Sequence, residues 1–181
     1  GFILLARVVE QAAQEQFDVF CKTHIFEPLK MTDTMFNPPE ELRPRCAPTE
    51  QSEVRGRLIR GEVHDDNAFA QGGISGHAGL FSTAADLERF CRALMDGRIV
   101  SLQTLDDMTR PGQVPCYPWQ GLGWWLDPCA DWANGFLPSR TAMGHTGWTG
   151  TSIWMDRVHT LYAILLSNTC HPSKRRRNNK E

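Results

Sequence analysis

Apolar positions recur at helical spacing from the first residues. Leu5, Val8, Val9 and Ala12 fall at i, i+3, i+4 and i+7 and predict an amphipathic helix that faces the core with that stripe. The chain opens inside this pattern with no Met, signal peptide or cap, so it is expected to be part of a longer chain. A second helix is predicted over residues 18–25, stopped by Pro28. Residues 32–62, with four prolines and scattered charge, predict a long surface excursion. The small-residue stretch 71–79 carries four glycines, which suit tight turns and close backbone approach. Thr83 with Asp86 three residues on has capping-box spacing, and the helix it opens buries Leu87, Phe90, Cys91 and Leu94 before Gly97 stops it. A shorter helix over residues 101–109 is expected to turn Leu102, Leu105 and Met108 inward.

After Pro111 the period changes from helical to alternating. Residues 121–127, 141–146, 151–155 and 161–167 read as strands, and the five residues 156–160 between the last two imply an antiparallel hairpin. Helices followed by an antiparallel meander is the order of an α+β fold.

Composition narrows the class. The chain has 181 residues, enough for one domain of ordinary size, with 41% hydrophobic and 22% charged residues, which suits a packed globular core. Six Trp and nine Phe exclude a disordered chain. The apolar runs 2–6 and 161–166 are too short to span a bilayer, so no transmembrane segment is expected. Net charge is −2, yet the last eight residues carry +4 and leave −6 on residues 1–173. That predicts a basic, disordered tail, drawn from residue 169, behind a folded part of residues 1–168. An acidic body argues against a nucleic-acid partner. The six cysteines form no CxxC pair, so no zinc knuckle is indicated, and Cys21 and Cys91 sit in apolar helical patterns as small buried hydrophobes. Compartment and oligomeric state stay open.

The segment with the most chemistry is Met143-Gly-His-Thr-Gly-Trp-Thr-Gly150. A His-Thr-Gly triplet at a strand end, flanked by glycines, presents an imidazole and backbone N–H groups at one edge. Acyl transfer needs those parts, a proton-handling group beside a donor for the oxyanion. The bland alternative is a hairpin turn with a structural histidine. His64, Asp65, Asp66 and His77 also offer nitrogen and carboxylate ligands, although their spacing matches no zinc signature. Ser75 lies in Gly-Ile-Ser-Gly, which is not a nucleophile elbow. Trp119, Trp124 and Trp125 serve either the core or a sugar-stacking wall, and His24, His159 and His171 read as structural or solvated.

Taken together, four ordered segments resemble the class C β-lactamase-like serine hydrolases, which include penicillin-binding proteins, esterases and cell-wall amidases. Residues 1–10 resemble the helix after that family's Tyr-x-Asn motif. Residues 20–34 are similar to its "IFEPLGM-DT" segment, with Lys30 where Gly is usual, and residues 76–90 to its "AGLFSTA-DLARF" helix entry. His145-Thr-Gly147 stands where the third motif is Lys-Thr-Gly. The resemblance implies a β-lactamase/transpeptidase-like fold, a mostly antiparallel sheet flanked by helices and incomplete at its N-terminus. It also implies a Ser-x-x-Lys nucleophile that is acylated by an amide or ester, with no cofactor and no metal.

Here the sequence departs from the pattern, because none of its eight serines has Lys three residues later and neither tyrosine opens Tyr-x-Asn. By position, His145, Thr146, Gly147 and Trp148 would form the catalytic edge, with the Trp148 N–H as an oxyanion donor. His64, Asn67, Ser75 and His77 would bind substrate, a small molecule or a peptidoglycan-derived peptide or muropeptide, on a wall of the cleft facing His145. The 181 residues alone are expected to be inactive. Two other readings remain, a non-catalytic binding module and a metal-dependent hydrolase using His64, Asp65 or Asp66, and His77.

Overall fold

The computed structural model describes residues 1–112, 117, 119–126, 139 and 141–173. It divides into two compact units. One is Gly1–Asp86 with the described residues from Ser167 onward, the other Leu87–Leu166. Each is treated by itself. Among the described residues no helix is long and apolar enough to cross a membrane.

The first unit opens with helix α1 (Phe2–Ala13), but not on the predicted face. Leu5 and Val8 are 55% and 60% exposed, while Ala6 is buried and Ile3, Val9 and Glu10 are half-covered. What covers α1 explains the rotation. A Cβ at Gly76 would stand 2.2 Å from the Phe2 carbonyl and 3.0 Å from the Ala6 Cβ, so bare backbone packs on the helix at its small residue. Close approach selects Ala6 over the larger aliphatic side chains. Helix α2 (Phe17–Cys21) runs into a π-helical turn (Lys22–Phe26), as the pattern predicts, and buries Cys21 and Phe26. Burial pushes the Cys21 thiol up to about 11, in keeping with an inert packing role.

Residues 32–62 are less superficial than predicted. They contribute β1 (Met35–Phe36), paired with β4 (Leu80–Phe81), and the hairpin β2 (Gln51–Ser52) with β3 (Arg57–Leu58). Ile59, Glu50 and Ser52 are buried there. The buried Asp86 carboxylate fixes the start of this segment, accepting from Asp33 N at 2.8 Å and Thr34 Oγ1 at 2.9 Å. A short helix that the sequence reading missed, α3 (Asp66–Ala70), precedes the glycine-rich loop. Part of the predicted tail is folded. Cys170 is buried and the Pro172 carbonyl accepts from Gln51 N at 2.7 Å, so residues 169–173 belong to this unit. The remainder of the predicted tail, 174–181, lies outside the described residues.

Helix α4 (Ala84–Met95) crosses the division between units, with Thr83 Oγ1 accepting from Asp86 N as the capping pattern requires. In the second unit Phe90, Cys91 and Leu94 of its predicted stripe meet the core, while Leu87 is half-covered. Cys91 and Leu94 join Leu105 of α5 (Leu102–Met108) and Leu126, Met143 and Met155 of the sheet in one core, with Phe90 packed against it. Leu102 stays exposed, because Ser101 caps α5 and only Leu105 reaches the core. The sheet runs β5 (Trp125–Leu126), β6 (Met143–Thr146), β7 (Ser152–Asp156) and β8 (Leu161–Leu165), in that order and antiparallel throughout. The β7–β8 hairpin is as predicted. The strand predicted over 121–127 is reduced to β5, and residue 127 is outside the described residues.

Asp156 closes the hairpin from a fully buried position. Its Oδ1 accepts from Val158 N and His159 N, and its Oδ2 from Ser139 N and the His159 ring, at 3.0–3.3 Å. Burial raises its pKa, and the bonds from His159 and Ser139 outweigh burial, so the carboxyl is held below its ordinary value. A depressed folded pKa contributes stability that is present above the unfolded value, about 3.9, and is lost as pH falls through the folded one. Asp156→Asn is expected to lower stability by about 2–4 kcal/mol at neutral pH and to flatten the acid limb of Tm against pH. A second prediction concerns Lys30, whose φ of +57° lies in the left-handed region. That conformation favours Gly, which has no Cβ to strain there. Lys30→Gly should raise stability by about 0.5–1 kcal/mol in denaturant melts, the relieved strain exceeding the added chain entropy.

Candidate active site

The end of β6 carries the His-Thr-Gly triplet. Pairing with β7 in the register Gly144↔Trp154, His145↔Ile153 and Thr146↔Ser152 sets which face each side chain takes. His145 is half-buried, and its Nδ1 stands 2.8 Å from the Thr146 carbonyl. A carbonyl only accepts, so Nδ1 carries the hydrogen, and in the neutral ring Nε2 is left as a lone-pair acceptor. The Trp125 ring lies beside the imidazole, centroids 6.2 Å apart and planes at 45°. Beyond Thr146 the chain turns tightly, with Gly147 N donating to the Thr151 carbonyl at 2.7 Å and Gly150 N to the Gly147 carbonyl at 3.0 Å. Trp148 sits on this turn with 78% of its surface exposed. Trp124 packs on the core and Trp119 is exposed.

The first unit holds a second constellation around the glycine-rich loop. Ser75 Oγ lies 2.9 Å from His77 Nδ1, and His77 Nε2 lies 2.9 Å from Asp65 Oδ1. The carboxylate accepts, so Nε2–H donates to it, and in the neutral ring Ser75 donates to Nδ1. Asp65 is also the N-cap of α3, accepting from Ala68 N at 2.9 Å. Burial raises the Asp65 pKa, but the bonds from Ala68 and His77 more than offset it and hold the carboxyl low. Ser75 is buried while part of the His77 ring is exposed. Sequence reasoning named Ser75 and His77 but missed Asp65 as the residue that orients the histidine. The sequence carried a signal for the cap of α3, an aspartate three residues before Ala68, but none for its bond to His77.

The remaining predicted residues have other surroundings. His64 is nearly buried, with Nε2 3.1 Å from Glu50 Oε2. Asn67 lies on the exposed surface of α3. Asp66 takes Arg55 at 2.8 Å. The residues of the metal-dependent reading, His64, Asp65 or Asp66, and His77, are thus committed to different partners or to each other. Among the described residues no group of three or more His, Cys, Asp or Glu side chains is placed to hold a metal. That corrects the metal alternative, since its donor set is not assembled.

The family described as Beta-lactamase matches residues 1–181. The chain belongs to the beta-lactamase family. Among curated proteins it is similar to the N-acetylmuramyl-L-alanine amidase of Bacillus subtilis (strain 168), 33% identical over 94% of this chain and 43% of that protein. The chain therefore spans less than half the length of this curated relative. Among solved structures it is similar to a beta-lactamase (Mb2281c) from Mycobacterium bovis, with TM-score 0.62 and 24% identity over 92% of this chain and 53% of that one. The octameric penicillin-binding protein homologue from Pyrococcus abyssi aligns with TM-score 0.65 and 21% identity, over 94% and 38% of the two chains. At those identities the structures show the fold, and it is the α+β, β-lactamase-like fold expected from the sequence. The family is of the serine hydrolase type.

The Asp65 arrangement is directly testable. Asp65→Ala removes both the helix cap and the partner of His77 and should cost about 1–2 kcal/mol. Asp65→Asn keeps an acceptor for Ala68 N and should cost less. Hydrogen exchange at Ala68 N and along residues 72–79 should rise in the Ala variant well above the Asn variant. Exchange in the Ala variant no faster than in the unmodified protein would show that the Asp65 side chain does not pin the loop.

Proposed function

We propose that the chain supplies the His-Thr-Gly edge of a class C β-lactamase-like serine hydrolase that cleaves an amide or ester through an acyl-enzyme, with a cell-wall peptide or muropeptide as substrate. The observation that carries this reading is the Nδ1 bond of His145 to the Thr146 carbonyl, which leaves Nε2 as an acceptor at the end of β6. A neutral imidazole in that tautomer takes a proton from an attacking hydroxyl, from serine in acylation and from water in deacylation. It then returns the proton to the leaving group. The same tautomer favours a base over a donor to a substrate carboxylate. Trp148 follows the triplet, so its backbone N–H is assigned to the oxyanion and its exposed indole to substrate contact. Asn67 and the Ser75–His77 loop are assigned to substrate binding. The similarity to a muramyl-L-alanine amidase supports the substrate class.

Ser-x-x-Lys and Tyr-x-Asn do not occur within residues 1–181, so these residues alone are expected to show no turnover of ester, β-lactam or muropeptide substrates. Steady hydrolysis by the isolated chain, abolished by one serine substitution, would refute that. In the intact enzyme His145→Ala should lower kcat/KM by about 10²–10⁴-fold. An unchanged rate with a lowered Tm would make His145 a purely structural residue.

Trp148 separates backbone from side chain. Trp148→Ala should be mild and alter substrate preference, whereas Trp148→Pro, which deletes the N–H, should cost roughly 3–4 kcal/mol of transition-state stabilisation. Equal losses at equal Tm would place the effect in the indole and not in the backbone donor.

A further inference from the structure

At the other end of β6 from the histidine, the second unit contains a cavity of about 370 Å³. Its floor is apolar, formed by Leu126 and Met143, which are almost fully buried, with Val158 on the rim. Among the described residues its rim also carries Arg157 and Asp106, in contact through Nη1 and Oδ1. The Thr109 hydroxyl lines the same space and already donates to the Leu105 carbonyl at 2.8 Å, so its lone pairs are what it offers. A cavity of this volume lies in the range of small-molecule sites.

The geometry points to a binding site for a free amino acid with an apolar side chain, held as its zwitterion. The chemistry of the rim selects both charges together. A ligand that is only an anion competes with Asp106 for Arg157 and leaves the aspartate unpaired. A ligand that is only a cation does the reverse to Arg157. A zwitterion inserts between them, carboxylate on the guanidinium and ammonium on the aspartate, so each keeps an opposite charge. The aliphatic side chain of the ligand then covers Pro111 and Val158, the exposed apolar part of the lining, which gains from losing water. The described residues of the site lie between 106 and 158, and the proposal does not rest on the assignment of His145.

The test uses leucine and its two half-charged counterparts, 4-methylpentanoate, which lacks the ammonium, and 3-methylbutylamine, which lacks the carboxylate. Titrations are followed by backbone amide shifts. Leucine is expected to saturate with a Kd of about 1 mM or tighter, moving the amides of Thr109, Thr141 and Val158. Each counterpart should bind about tenfold or more weakly. Arg157→Gln and Asp106→Asn should each weaken leucine by a similar factor while leaving the melting profile intact. Where a variant does not fold, the comparison of the three ligands on the unmodified protein decides. Absence of saturable shifts with leucine, or equal binding by either counterpart, overturns the proposal. So does a shift pattern away from those amides.

Discussion

The placement of His145 depends on position 144 having no side chain. A Cβ on Gly144 would come within 2.3 Å of the Ile153 carbonyl and 2.4 Å of the Trp154 indole, so any other residue would push β6 and β7 apart. Gly144 lies opposite Trp154 in the ladder, and the bulk of the indole fills the space that the glycine leaves. This close approach holds the register on which the rest of the unit is built. One residue of slip would turn Met143 out of the core and send the imidazole to the opposite face. The buried Met143 and Met155, paired across the same two strands, hold the register from the core side. A packing constraint inside the sheet thereby decides which way a chemical group points at its end.

Carboxylates do comparable work in the irregular parts. Asp86 gathers Asp33 N and Thr34 Oγ1, Asp65 gathers Ala68 N and His77, and Asp156 gathers amides of two segments with the His159 ring. Each is an acceptor-only group facing several donors, the arrangement in which burying a charge is offset by its bonds. Loops have few apolar contacts to hold them, and these three acids fix loops at points where hydrophobic burial is scarce. The burial of Asp86 and Asp156 also follows from this, since a satisfied carboxylate is tolerated where a bare one is not.

Periodic segments were legible in the sequence because their period is their physics. The Phe90, Cys91, Leu94 stripe, the stop at Gly97 and the β7–β8 hairpin follow from spacing alone. The face of α1 was misread for a definite reason. Its partner is the backbone at Gly76, and a bare backbone selects a small residue, so the apolar moment points away from the contact. Two-residue strands such as β1 and β4 have no period to detect and exist through pairing between distant segments. At the candidate site, the triplet of residues 145–147 could be singled out from its composition. The link from His77 to Asp65 could not, because twelve residues of chain separate groups that only the folded loop brings together.

The histidine in place of the usual lysine changes what this edge can do. A lysine ammonium has three donors and no acceptor, and it stabilises negative charge wherever it stands. An imidazole donates through one nitrogen and accepts through the other, and the Thr146 carbonyl decides which is which by taking Nδ1–H. The polarity of the strand end is therefore set by backbone geometry one residue further along the chain. The same imidazole with its hydrogen on Nε2 would be a donor like lysine and would leave the carbonyl facing a lone pair. With Nδ1–H on the Thr146 carbonyl, Nε2 of the neutral ring is an acceptor, and the strand, its register and the turn after it are unaffected by the choice of side chain.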